Sequence, residues 1–254
     1  MGCDTPRLDA EVLLAAAMGV DRAVLIADPG RELEPDEARA FADAARRRSM
    51  REPVAYIVGR KGFRRLELAV DPRVLVPRPE TEHVVEAALD LPRGARVVDV
   101  GTGSGAIALA LADERPDLRV VATELSAGAL AVARANGDRL GLAADWREGD
   151  LLEPVDGPVD AVVSNPPYVR RGDPLPPDVA RHEPAEALFA GDDGLDVLRR
   201  LAPAAAASGA AFAAFEVGEG QAADVEALLL DAGFERVERV RDLAGIERVV
   251  VARR

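Results

Sequence analysis

A short β-branched run, Val97-Val98-Asp99-Val100, passes directly into the glycine cluster Gly101-Thr102-Gly103-Ser104-Gly105 and then into an apolar stretch from Ala106. β-Branched residues favour an extended strand, and the glycines let the chain turn sharply with positive φ and let a ligand approach the backbone. The sequence therefore predicts a strand, a tight turn and a helix, with the turn at a strand's carboxyl end, where open α/β sheets bind ligands. The third glycine falls one place earlier than in the dinucleotide fingerprint Gly-x-Gly-x-x-Gly. That spacing points away from a pyrophosphate and toward a ligand without phosphate.

Strand and helix patterns alternate onward from this unit: strand Arg96 to Val100, helix Ala106 to Glu114, strand Arg119 to Thr123, helix Ala127 to Leu140, a weaker strand near Asp145, and strand Val159 to Ser164. Such alternation predicts a mostly parallel sheet with helices on both faces. Strand Ala211 to Val217 and helix Gly220 to Ala232 follow. Val237 to Arg241 and Arg248 to Ala252 then lie too close for a crossover, so they predict a terminal antiparallel hairpin. Arg171 to Ala187 reads as the longest irregular stretch and a candidate mobile loop over the site.

The first fifty residues differ. Leu8, Val12 and Leu13, then Val24 and Leu25, then Ala38, Phe41, Ala42 and Ala45 recur at helical spacing and predict a small helical domain. Arg46-Arg47-Arg48 ends its last helix, as a favourable C-terminal charge placement or as a binding element. Val54 to Val58 and Leu66 to Val70, separated by Gly59-Arg60-Lys61-Gly62, read as a hairpin joining two domains. A helix opens at Pro79-Glu80-Thr81-Glu82. The predicted units are a helical domain at 1–52, a hairpin linker at 53–76 and a catalytic domain at 77–254.

Sixty residues past Gly105, at the end of the predicted strand Val159 to Ser164, stands Asn165-Pro166-Pro167-Tyr168. Neither proline has an N–H, so the Asn165 side-chain oxygen and the Pro166 carbonyl form a corner of acceptors that suits a planar NH2 group. Residues before proline are pushed into extended geometry, which makes the corner rigid. The alternative is a plain strand-ending turn. Tyr168 is placed to stack on a planar substrate group. Glu124, nineteen residues beyond Gly105, ends the next strand where an acid accepts from both hydroxyls of a ribose; otherwise it is an exposed acid near a helix start. Asp150-Leu151 is placed to hold an adenine edge and face. S-adenosylmethionine joins these parts, with S-adenosylhomocysteine as product. Asn165 and Pro166 would then hold a weakly nucleophilic nitrogen in line with the methyl and stabilise positive charge growing on it, so no general base is required.

Other chemistry is disfavoured. A net charge of −13 over 254 residues repels phosphate backbones, so direct nucleic-acid binding is not expected. A single cysteine, Cys3, excludes an internal disulfide and a cysteine-rich zinc site and suits the cytoplasm. His83 and His182 lack ligand spacing, and no metal is expected. No apolar run approaches the ~18 residues of a membrane span.

At these motifs the chain closely resembles the glutamine-N5 methyltransferases of peptide-chain release factors, the HemK/PrmC family. The matching segments include Pro6-Arg7-Leu8-Asp9-Ala10-Glu11, Glu52-Pro53-Val54-Ala55-Tyr56-Ile57, Val76-Pro77-Arg78-Pro79-Glu80-Thr81-Glu82, Asp99 to Ala108, Ser164 to Tyr168, His182-Glu183-Pro184 and Asp242-Leu243-Ala244-Gly245. The resemblance implies a seven-stranded, Rossmann-like S-adenosylmethionine-dependent methyltransferase domain behind a small helical substrate-docking domain and a β-hairpin linker. It implies methyl transfer to the side-chain amide of the glutamine in a Gly-Gly-Gln motif of release factors, with Gly101 to Gly105, Glu124, Asp150, Leu151 and Asn165 at the cofactor and Asn165, Pro166, Pro167 and Tyr168 at the glutamine. The chain departs from the family in having Glu124 for the more usual aspartate and Leu151 where an aromatic is common. Methylation of a ribosomal-protein glutamine and adenine-N6 methylation of DNA are the alternatives.

Overall fold

The structure, a computed structural model, describes residues 5–254; Cys3 lies outside them. Three helices lead: α1 (Pro6–Met18), α2 (Arg22–Ala27) and α3 (Pro35–Ser49). Pro35 sits in the first turn of α3, and Glu34 and Glu37 exchange side-chain and backbone hydrogen bonds there as a capping box. The triple arginine at its end is absorbed by local acids. Arg46 pairs with Asp43, Arg47 with Glu52, and Arg48 with Asp9 of α1 at 2.7 Å.

One expectation fails next. Val54–Val58 is a short helix, α4, and the hairpin is built instead from β1 (Arg60–Phe63) and β2 (Leu66–Ala69). The alternation of Val54, Tyr56 and Val58 fits a strand, yet a five-residue window also fits one helical turn. The flanking residues decide: Pro53 starts the turn, and Gly59 ends it in the left-handed region at φ 73°.

A 3-10 turn at Pro79–Thr81 then feeds α5 (Glu82–Ala88). Seven strands follow: β3 (Arg96–Val100), β4 (Arg119–Glu124), β5 (Asp145–Glu148), β6 (Ala161–Ser164), β7 (Phe212–Glu216), β8 (Arg236–Arg241) and β9 (Glu247–Arg253). They lie in the order β5-β4-β3-β6-β7-β9-β8. The first five run parallel, and β9 inserts antiparallel between β7 and β8, so the predicted terminal hairpin is present. The helices between them are α6 (Ala106–Glu114), α7 (Ala127–Leu140), α8 (Pro177–His182), α9 (Asp196–Ala207) and α10 (Ala222–Asp231).

Successive strand residues face opposite ways, which divides the core. Val97, Ala122, Ala161 and Val163 pack with Val84, Val85 and Ala88 of α5 and Ile107 to Leu111 of α6. Val98, Val100, Val162 and Phe215 pack on the other face with Leu198 and Leu201 of α9 and Val225 and Leu229 of α10. Sequence reading leaves out α9 and treats Arg171 to Ala187 as irregular. The structure places α8 and a 3-10 turn at Ala185–Ala187 inside that stretch. Pro177 at the start of α8 and Pro184 beyond its end confine it to six residues, too few to show a helical period.

Asn136 in α7 ties the hairpin to the catalytic layer. Its Oδ1 accepts from the Ala69 N–H at 2.7 Å, and its Nδ2 donates to the carbonyls of Ala69 and Ser104. The helical domain reaches α8 through Asp178, which pairs with Arg48 and Arg51.

Candidate active site

The carboxyl ends of β3, β4 and β6 surround a cavity of about 490 Å³, inside the size range of small-molecule sites. The glycine turn forms its floor. Gly101 and Gly103 hold φ values of 70° and 57°, and a Cβ on either would meet no other atom within 4 Å, so their backbone faces open space. Gly105 differs: a Cβ there would lie 3.0 Å from Leu109, and the residue is absent from the cavity lining. Its role is close packing where α6 begins. Thr102 and Ser104 do line the cavity.

Glu124, at the end of β4, accepts the Gly103 N–H at 2.9 Å through Oε2 and the Ser126 N–H at 3.0 Å through Oε1. Each carboxylate oxygen has a second lone pair to offer. Asp150 and Leu151 line the cavity just past β5, which pairs with β4 at Glu124, and Arg200 of α9, which also lines the cavity, pairs with Asp150. Leu151 holds φ 49°, a left-handed conformation that a branched side chain adopts only under constraint.

Asn165, Pro166 and Pro167 line the third side. The Ser164 hydroxyl donates to the Val100 carbonyl at 2.7 Å, fixing the end of β6 beside the glycine turn. Asn165 Nδ2 donates to Thr81 Oγ1 at 2.9 Å; Thr81 Oγ1 donates to Glu216 Oε2 at 2.6 Å; the Tyr168 hydroxyl donates to Glu216 Oε1 at 3.0 Å. Tyr168 is not among the lining residues. Its hydroxyl is held by Glu216, which supports the wall from behind. Burial, with the nearby Glu216 charge, pushes the Tyr168 phenol up, so it stays a donor.

Two buried acids escape the sequence reading. Burial pushes Asp99 up to about 7 against the Thr102 hydroxyl and the Ala108 N–H, both donating to its Oδ2; its Oδ1 has no partner. Burial likewise pushes Glu216 up to about 7, opposed by the Thr81 and Tyr168 hydroxyls. The signal that could have found them is a lone acid in an apolar strand, since such residues are rarely buried without partners. Thr81, by contrast, hides in a helix start and carries no such signal.

The segment His182-Glu183-Pro184 braces the opposite rim. Glu183, with a side chain only 2% exposed, accepts from Arg78 Nη2 at 2.6 Å and from the Val76 N–H at 3.2 Å, while Pro184, Glu186 and Ala187 line the cavity. His83 lies beside Glu86. Among the described residues no group of three or more His, Cys, Asp or Glu side chains is arranged to hold a metal, and no helix is long and apolar enough to cross a membrane.

Comparison with known proteins agrees with this architecture. The family model described as the PrmC N-terminal domain matches residues 1–59, and that of the methyltransferase small domain matches residues 81–181. The chain is 44% identical over 263 residues to a release factor glutamine methyltransferase of Mycolicibacterium smegmatis, covering 100% of this chain and 92% of that protein. It is 42% identical over 258 residues to a release factor glutamine methyltransferase of Geobacter sulfurreducens, covering 99% and 91%. A crystal structure of a methyltransferase from Pyrococcus furiosus matches with a TM-score of 0.57 at 17% identity, over 74% of this chain and 88% of that one, a likeness of fold. With relatives of this identity along its whole length, the chain belongs to the release factor glutamine methyltransferase family.

Proposed function

We propose that this protein transfers a methyl group from S-adenosylmethionine to the side-chain nitrogen of the glutamine in a Gly-Gly-Gln motif of a peptide-chain release factor. The observation that carries the reading is that Asn165, its NH2 engaged by Thr81, and Pro166, which has no N–H, line a cavity whose floor is the open glycine backbone. S-adenosylmethionine supplies an electrophilic methyl on a sulfonium centre. The residues fit it: Glu124 has lone pairs for ribose hydroxyls, Gly101 to Ser104 leave backbone within reach of an amino-acid tail, and Asp150 and Leu151 offer an edge and a face for adenine.

The chemistry asked of the chain is positioning. A carboxamide nitrogen has its lone pair delocalised, and holding it in line at near-attack distance contributes on the order of 7 to 11 kcal/mol in favourable cases. Asn165 Oδ1 and the Pro166 carbonyl accept from the two amide protons. Their hold strengthens as positive charge grows on nitrogen, so it favours the transition state over the bound substrate; the C–S bond breaks as the N–C bond forms, S-adenosylhomocysteine leaves, and the methylated nitrogen sheds one proton to solvent. The division into a docking domain at 1–52, a linker at 53–76 and a catalytic domain at 77–254 goes with this reading, as does a cytoplasmic place of action.

Labelled S-adenosylmethionine with purified release factor, with a version whose Gly-Gly-Gln glutamine is replaced, with ribosomal protein and with DNA tests the proposal. Label is expected on the intact release factor alone. Label in DNA or ribosomal protein, or undiminished label on the replaced version, overturns it.

A further inference from the structure

Asn165 serves a substrate NH2 only when its oxygen faces the cavity, yet an asparagine side chain has nearly the same shape either way round. Something must set its direction. The buried acid Glu216, 1% exposed at the end of β7, begins a chain of hydrogen bonds that does so. Above about pH 7 the Glu216 carboxyl is ionised and only accepts. Thr81 has one hydroxyl proton, and with Glu216 Oε2 2.6 Å away that proton is committed. Toward Asn165, at 2.9 Å, Thr81 Oγ1 can then only accept, and the only donor of the Asn165 side chain is its NH2. Asn165 Oδ1 is left without a protein partner among the described residues.

We infer that Thr81 and Glu216 are positioning residues that lock the Asn165 side-chain amide with its oxygen toward the cavity, and so select a substrate group that donates through NH2. The inference rests on the function proposed above. Tyr168 completes the device by occupying Glu216 Oε1 at 3.0 Å, which leaves Oε2 to Thr81. Burial and, to a smaller extent, Glu80 oppose the ionised form of Glu216, while the Thr81 and Tyr168 hydroxyls and Arg248 favour it. Without the Thr81 hydroxyl, both amide orientations become accessible, and the flipped one sets NH2 against NH2.

Thr81→Val keeps the shape and removes the hydroxyl; Thr81→Ser keeps the hydroxyl. Methyl transfer to the release factor and S-adenosylhomocysteine binding are measured for both, and solvent exchange of the Asn165 side-chain NH2 is followed by NMR, its resonances assigned by their loss in Asn165→Ala. The valine variant is expected to lose about tenfold or more in kcat with product affinity within about twofold, and the serine variant to stay within about threefold of wild type. The NH2 protons are expected to be protected in wild type and the serine variant and unprotected in the valine variant. A valine variant with kcat within about twofold of wild type, or an unprotected NH2 in the wild-type protein, overturns the inference. Should the wild type label no release factor, the function reading falls, and amide exchange still decides the orientation. Should the valine variant not fold, protection in the wild type alone decides it.

Discussion

The Glu124 carboxylate accepts the backbone N–H of Gly103 at 2.9 Å, so the acid proposed to meet a ribose also fastens the turn that forms the cavity floor. One side chain thereby couples the ends of β3 and β4. Its second oxygen does the same for the start of α7 through Ser126.

Replacing Glu124 by alanine therefore loosens the turn and, on the function proposed here, removes the acceptor for a ribose. Hydrogen bonds to a charged group contribute about 1.5 to 3 kcal/mol, so S-adenosylhomocysteine affinity is expected to fall roughly 10- to 150-fold by calorimetry. Affinity unchanged within twofold would remove Glu124 from cofactor binding.

The pair formed by Arg78 and Glu183 joins the strap before α5 to the rim after α8. Arg78→Ala leaves a buried carboxylate with only the Val76 N–H as partner. Breaking such a pair from one side costs about 3 kcal/mol. Urea unfolding is expected to show a loss of that order, and a loss below about 0.5 kcal/mol contradicts this account.

Tyr168 is held from behind by tight backbone packing. Gly194, at φ 76°, stands so close that a Cβ would overlap the Tyr168 carbonyl oxygen and lie 2.6 Å from Gln221 Nε2, which itself donates to that carbonyl. Gly194→Ala is expected to lower stability by more than about 1 kcal/mol, from the left-handed backbone as well as the overlap, and to reduce turnover. Wild-type melting temperature and turnover together would show that this support is dispensable.

Asp99 makes stability depend on pH. Its carboxyl is pushed up to about 7 in the folded protein against an ordinary 3.8, so the folded state holds a proton that the unfolded chain releases first. Its stabilising contribution is complete below the unfolded value and is lost as pH rises through about 7. Asp99→Asn is neutral in both states. Its urea midpoint is expected to gain on that of wild type between about pH 4 and about pH 7, and parallel pH curves would contradict the assignment.

Much of this architecture is legible in sequence where the signal is local. The helix from Ala127 to Leu140 is found with its observed ends, because Ser126 caps one end through the Ala129 N–H and Gly141 closes the other in the left-handed region. The glycine turn, Glu124 and Asn165 are legible for the same reason: each follows a strand by a fixed short step. What escapes is set by long-range contact or by short length. Val54–Val58 holds too few residues for a period to declare itself, and α9, with Pro203 inside it, mixes its helical signal with a breaker. Thr81 and Glu216 meet across 135 positions of chain, and no pattern of neighbours announces that meeting. Gly105 and Tyr168 belong to the right motifs yet stand behind the cavity rather than on it.

On the proposed function, Asn165 and Pro166 present a carboxamide nitrogen for methylation. Mass-spectrometric mapping of a release factor after reaction, with wild type and Asn165→Ala side by side, distinguishes this from every other acceptor. A single methyl is expected on the side-chain nitrogen of the Gly-Gly-Gln glutamine, reduced about 100-fold or more in rate by the alanine substitution while S-adenosylhomocysteine affinity stays within a few-fold. A methyl on any other atom, or equal rates for the two proteins, would contradict it.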